Sequence, residues 1–402
     1  MAAERSVATL LRQIAPVGRD ARRGGYSRHV FDPAERELRE WFTERATQLG
    51  LGLETDRNGN IWAWWGAPGK DAVVTGSHLD SVPGGGPLDG PLGVATALAA
   101  IAELQRQGFT PARPLAVVVF AEEEGARFGI ACLGSRLMVG AISVERALAL
   151  TDAVGTTFGE AAAGFGLDVA NLGLDRDAID RIGVFVELHV EQGRGLIDLG
   201  EPVAVASSIL AHGRWRIRVR GQGNHAGTTE MADRHDPMVV AASAILASRE
   251  VARATAGVRA TVGRVEPVPG GTNVIASRVS AWLDVRAGSD AETLDAVAAI
   301  SDAARSAAEI EGCDIDIVEE SYGGEVLFDP ELRDRVAATL GGVPVLPTGA
   351  GHDAGVLAAV VPTAMLFVRN PTGISHAPEE GATDDDCEAG AAALVAVLKD
   401  LL

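Results

Sequence analysis

The chain has 402 residues with 35 basic and 55 acidic side chains, a formal net charge of -20, so nucleic acid and anionic membrane surfaces are poor partners for it. Its length exceeds one ordinary core and suggests two domains, and 47% hydrophobic against 22% charged residues is enough to fill them. Cys132, Cys313 and Cys387 are too few and too scattered for a disulfide framework or a zinc ribbon, and read as small buried hydrophobes. The first 23 residues carry charges throughout and no apolar core, unlike a secretory signal. The longest apolar run, Gly355 to Val368, is 14 residues and holds Pro362, too short to span a bilayer. A cytoplasmic protein is expected.

In chain order, short runs rich in Val, Ile and Phe predict buried strands over 72–76, 115–120, 184–190 and 363–368. Between the first two, PLGVATALAAIAELQRQ predicts a helix over 91–107, with Pro91 at its first position and Gly108 as its stop. Strands alternating with helices imply an α/β fold with a mostly parallel, doubly wound sheet. The middle of the chain has another rhythm. Residues 213–220, 258–265, 278–286 and 313–319 read as half-buried strands, and 236–255 and 292–312 as helices. That predicts an inserted α+β domain, a four-stranded antiparallel sheet with two helices, over 212–326, and a discontinuous larger domain over 1–211 and 327–402.

Three of the eight histidines fall where predicted strands end: His78 in GSHLD, His189 in ELHVEQG and His376 in GISHAPEE. The strand over 115–120 runs into Glu122, Glu123 and Glu124. Open α/β sheets bind ligands outside the carboxyl ends of their strands, and His, Glu, His and His gathered there form a ligand set for zinc or manganese. Asp89 lies in the glycine-rich loop before the helix at Pro91. It reads either as a turn carboxylate or as a bridge between two cations roughly 3.5–4 Å apart. Asp80 can fix the tautomer of His78 or be an ordinary loop carboxylate.

Seven blocks in order, GSHLDSVPGGGPLDGPLG, FAEEEGARFG, ELHVEQG, GNHAGTTEMADRHDP, GGTNVIASRVSAWLDVR, TGAGHDA and GISHAPEE, resemble the M20-type metal-dependent amidohydrolases. The branch they resemble holds the N-carbamoyl-L-amino acid hydrolases and allantoate amidohydrolases. The resemblance implies two divalent ions per subunit, zinc or manganese, with cobalt or nickel also accepted. His78, Asp89 and His189 match the ligands of one ion, and Asp89, Glu124 and His376 those of the other. Glu123 matches the general base acting on a water between the ions, and Asp80, through His78, is counted with it among the catalytic residues. His225 matches a histidine that reaches into the partner's site of a homodimer built through the inserted lid domain. Asn273 and Arg286 match residues that bind the substrate carboxylate, and Gln192 a contact to the ureido group. The implied reaction is hydrolysis of the C–N bond of a ureido (N-carbamoyl) acid, releasing ammonia and carbon dioxide.

Two departures stand out: Glu230 in GTTEM where the family usually has proline, and RNPTGISH where a serine is common before the loop. Glu122 reads as solvated or beside the ligands, and His352 as lining the site or structural. His29, His212 and His235 carry no assigned chemistry. Two other readings are an M20 dipeptidase or aminoacylase, and a non-catalytic binding protein. Against the second, all five of His78, Asp89, Glu124, His189 and His376 are in place.

Overall fold

The computed structural model describes residues 6–402. The reading of the N-terminal segment therefore falls partly on residues 1–5, outside the described ones. Strands appear in chain order as β1 (Gly52–Thr55), β2 (Ile61–Trp65), β3 (Ala72–His78), β4 (Leu115–Phe120), β5 (Ile182–Val190) and β6 (Val203–Ile209). Next come β7 (Ala211–Arg220), β8 (Asn224–His225), β9 (Arg259–Val268), β10 (Val274–Ile275), β11 (Arg278–Ala287) and β12 (Asp314–Gly323). The chain closes with β13 (Val326–Leu327), β14 (Val345–Thr348) and β15 (Thr363–Val368). It divides into two compact units, one of residues 1–208 with 327–402 and one of residues 209–326.

The larger unit is built on a nine-stranded sheet in the order β1-β2-β4-β3-β5-β15-β6-β13, with β14 also on β6. Its centre, β4-β3-β5-β15, is parallel, while β2 and β6 join it antiparallel. β3, β4 and β15 are buried at every position, as strands covered on both faces must be. On one face Val117, Val119, Val186, Leu188, Leu366 and Val368 pack with Leu92, Leu98 and Ile101 of the helix Pro91–Arg106 and Leu394 and Leu398 of Asp384–Leu401. That first helix starts at Pro91, where the missing N–H costs nothing. A doubly wound α/β unit is therefore present, with antiparallel edges.

The smaller unit has a four-stranded antiparallel sheet, β12-β7-β11-β9, and a two-stranded β10-β8 pair. Its inward residues Trp215, Ile217, Val219, Leu283 and Val285 pack on Val240 and Ala244 of the helix Pro237–Ala254 and Ile300 and Ala304 of Asp290–Glu311. The alternation that predicted these strands is this division between a packed and a wet face.

Cys132 and Cys387 are buried, but Cys313 is only partly so, at the edge of the smaller unit's core. Glu230 stands just before the short 3₁₀ turn Met231–Asp233. No helix among the described residues is long and apolar enough to cross a membrane.

Candidate metal centre

The four parallel strands end at one edge of the larger unit's sheet, and each delivers a polar group there. His78 is the last residue of β3, His189 lies near the end of β5, Glu122–Glu124 follow β4, and the loop after β15 carries His376. Two glycines make room. Gly76, at φ +154°, runs so close to β4 that a Cβ would lie 1.9 Å from the Val118 carbonyl oxygen. Gly90, at φ +86°, takes a conformation that side chains disfavour, and a Cβ there would meet the His78 ring at 2.5 Å.

Asp89 is the hub. Its Oδ1 lies 3.6 Å from His78 Nε2 and 3.2 Å from His189 Nε2, and its Oδ2 lies 3.3 Å from His376 Nε2. Glu124 Oε2 is 3.4 Å from that same His376 nitrogen. The ligand atoms of His78, Asp89 and His189 thus converge as one group, and those of Asp89, Glu124 and His376 as another, one Asp89 oxygen to each. His78 Nδ1 faces the Asp80 carbonyl at 3.1 Å and His189 Nδ1 faces the Val190 carbonyl at 3.0 Å. Each such contact keeps the proton on Nδ1 and turns the Nε2 lone pair inward.

These groups fit a divalent cation on an observation independent of any motif. His78 Nε2 is buried and makes no hydrogen bond, a costly state for a polar atom unless it serves as a ligand. Charges tell the same story. Burial favours a neutral His78, but Glu123, Asp80 and Asp89 outweigh it and hold its pKa well above the usual value. Burial also lifts Glu123 well up, with Asp353, Glu124 and Asp80 adding to the rise, and lifts Glu124 to about 7. Asp89 alone is held well below the ordinary range: burial opposes this, and the facing histidines His189, His376 and His78 prevail. Without a cation the cluster gathers protons to balance its carboxylates; a bound cation replaces them.

The neighbouring residues hold this set in place. Asp80 accepts from the Glu123 amide through Oδ1 at 3.2 Å and from the Glu124 amide through Oδ2 at 3.1 Å. Glu123 Oε2 stands 3.6 Å from His78 Nε2, and the Cys132 thiol donates to Glu123 Oε1 at 3.5 Å. Glu122 is not solvated. It is buried at φ +55°, accepts from the Arg127 and Phe128 amides, and burial raises its pKa to about 8. Gln192 donates to Asp89 Oδ2 at 3.0 Å, and its own Oε1 has no partner.

In the smaller unit, His225 on β8 pairs with Val274 of β10, and the Ala226 amide donates to the Asn273 carbonyl at 2.9 Å, so His225 and Asn273 are neighbours. Arg286 on β11 donates to Asp284 through Nε at 3.0 Å and Nη2 at 3.4 Å, so that edge of its fork already holds a carboxylate.

Sequence reasoning did not single out Glu187, Asp353, Ser375 or Glu380, all of which pack around the cluster. Glu187 accepts from Ser77 Oγ and the Ala354 amide at 2.9 Å each, and with His189 and His352 it forms a further group with ligand geometry. His352 lies with its ring centroid 4.5 Å from that of His189, buried, with both nitrogens unpartnered. A glutamate two residues before His189 in an otherwise apolar strand was the available signal, since alternate residues share a face.

The chain matches known proteins along most of its length. The family model for peptidase family M20/M25/M40 matches residues 74–400. The N-carbamoyl-L-amino acid amidohydrolase of Geobacillus stearothermophilus is 36% identical over 391 residues, covering 96% of this chain and 95% of that protein. The allantoate amidohydrolase of Escherichia coli K12 is 32% identical over 394 residues, 94% of this chain and 93% of its own. A solved amidase of the hydantoinase/carbamoylase family from Burkholderia multivorans superposes with a TM-score of 0.88 at 31% identity, covering 98% and 97% of the two chains. With candidate metal ligands gathered at its sheet edge, this chain belongs to the M20 peptidase family, in the branch of the N-carbamoyl-L-amino acid and allantoate amidohydrolases.

Proposed function

We propose that the protein hydrolyses the C–N bond of a ureido acid, an N-carbamoyl-L-amino acid or allantoate, using two divalent cations held by His78, Asp89 and His189 and by Asp89, Glu124 and His376. The observation that carries this reading is the division of Asp89, one oxygen toward each converging group of ligand atoms. Bound there, divalent cations supply Lewis acidity toward the ureido carbonyl and acidify water. Glu123 takes the proton from the attacking water and delivers it to the leaving nitrogen. Asp80 keeps Glu123 and Glu124 in place through their amides. His225 stabilises the developing oxyanion, a kind of contact worth on the order of 3 kcal/mol. Arg286 and Asn273 receive the substrate carboxylate, and Arg286 releases Asp284 to do so. Gln192, with its unpartnered Oε1, accepts from the ureido N–H. The C–N bond breaks to give the free amine and a carbamate, which decomposes to ammonia and carbon dioxide.

In this reading the smaller unit is a lid that also dimerises the protein, and the enzyme works in the cytoplasm. The test is ammonia release from metal-reconstituted protein offered allantoate and a series of N-carbamoyl-L-amino acids. Turnover of at least one of them is expected. Inactivity on all of them, with cleavage of a dipeptide or N-acyl amino acid instead, overturns the ureido assignment.

A further inference from the structure

We propose that Glu380 is a positioning residue that ties the loop carrying Asp89 to the loop carrying His376, and so sets the spacing between the two ligand groups. The inference rests on the metal reading above and adds a residue that reading does not use. Glu380 is only 4% exposed. Its Oε1 accepts from the Leu88 amide at 2.9 Å and the Asp89 amide at 3.0 Å. Its Oε2 accepts from Ser375 Oγ at 3.0 Å, the residue beside His376. Ser375 Oγ also lies 3.3 Å from Asp89 Oδ2 and accepts from Gln192 at 3.1 Å.

One carboxylate oxygen therefore fixes two successive peptide planes leading into Asp89, and the other fixes the residue before a ligand histidine. The ends it joins, Ser375 and Asp89, lie 286 positions apart in sequence, so nothing local could set their separation. The need for a tie is visible in the backbone. His376 sits at φ +57°, a region that a non-glycine residue keeps only when its surroundings hold it. The contact is also closely fitted: a Cβ on Gly86 would fall 2.3 Å from Glu380 Oε1 and 2.4 Å from its Cβ. Burial raises the Glu380 pKa and Asp89 raises it further, so a carboxylate here is an electrostatic burden on the fold. It is tolerable where its hydrogen bonds organise something else.

The test is zinc affinity of the metal-free protein, measured by competition with a chromophoric chelator well below the thermal midpoint. Glu380→Ala should bind zinc roughly 10- to 100-fold more weakly, the usual effect of losing a partner that orients ligands. Glu380→Gln should stay close to the parent, because its Oε1 can accept from both amides while its Nε2 donates to Ser375 and leaves that hydroxyl for Asp89. Ser375→Ala should weaken binding in the same direction by less. Parental affinity in Glu380→Ala, or equal loss in Glu380→Gln and Glu380→Ala, overturns the inference. Should Glu380→Ala not fold, Ser375→Ala decides, and parental affinity there overturns it as well. Asp89→Asn separates this from the metal reading: if Asp89→Asn binds zinc as the parent does, the metal reading itself fails.

Discussion

Replacing Glu123 by glutamine tests the division of labour in the cluster. The backbone around this residue is pinned: its amide donates to Asp80 Oδ1 at 3.2 Å and its carbonyl accepts from the Cys132 amide at 2.6 Å. A glutamine side chain therefore starts from the same point and has nearly the same shape. In the metal-free protein, burial, with Asp353, Glu124 and Asp80, pushes the Glu123 pKa well up, so a neutral amide at this position is disfavoured less than at an exposed glutamate. The metal-free thermal midpoint should move little. Loss of a general base removes about 10²- to 10⁴-fold in rate, or about 3 to 5 kcal/mol at 1.36 kcal/mol per tenfold. The assay pairs ammonia release at saturating substrate with elemental analysis of bound metal. The expected result is a fall of that size in kcat with two metal equivalents retained. Activity within tenfold of the parent refutes the base assignment, and loss of activity together with metal would make Glu123 a ligand.

Three further outcomes are expected. His376→Ala should lose one metal equivalent and keep the one held by His78 and His189; unchanged metal content by elemental analysis would contradict the two-group assignment. Zinc binding near pH 7 should release protons, because a hydrogen bond with Asp89, against the opposing effect of burial, raises the metal-free His376 to about 9 and a ligand nitrogen must be deprotonated. Apparent affinity should then climb as the pH rises toward about 9; binding heats that do not depend on the buffer's ionisation enthalpy would count against this. Finally, if His225 acts across a homodimer, mixing His225→Ala and Arg286→Ala protomers should restore part of the activity that each lacks alone, and no recovery in the mixture would sink the cross-subunit role.

The interior of the larger unit was legible because β3, β4, β5 and β15 lie in the parallel centre of the sheet and read as mostly apolar runs. Its rim was not. β1 is GLET, mostly exposed and without an apolar signature, and β6 is VAVASSI, small residues that suit strand and helix alike. The smaller unit was readable for a different reason: one face of its sheet is wet, so the two-residue period survives in β7 and β11. Boundaries shifted where local chemistry intervened. The helix predicted over 292–312 begins at Asp290, because the Ser289 hydroxyl accepts from the Glu292 amide and caps it.

At the site, the legible residues were those that break the rule for their surroundings. A histidine closing a buried strand, or three glutamates following LAVVVF, conflicts with its neighbours unless a ligand resolves the conflict. Residues that act through backbone atoms carry no such mark. Glu380 looks like a surface glutamate in an acidic loop, and only the fold shows that its partners are amides near the other end of the sequence. Side-chain direction is hidden in the same way: the register puts Arg286 opposite His212, but the structure turns its fork onto Asp284. The negative charge of the chain has a local meaning here. Asp80, Asp89, Glu122, Glu123, Glu187 and Glu380 are all buried in the same unit, an arrangement that is unfavourable without compensating positive charge. A dication concentrates two positive charges at one point that several carboxylates can face at once. Binding it therefore stabilises the fold as well as arming the site.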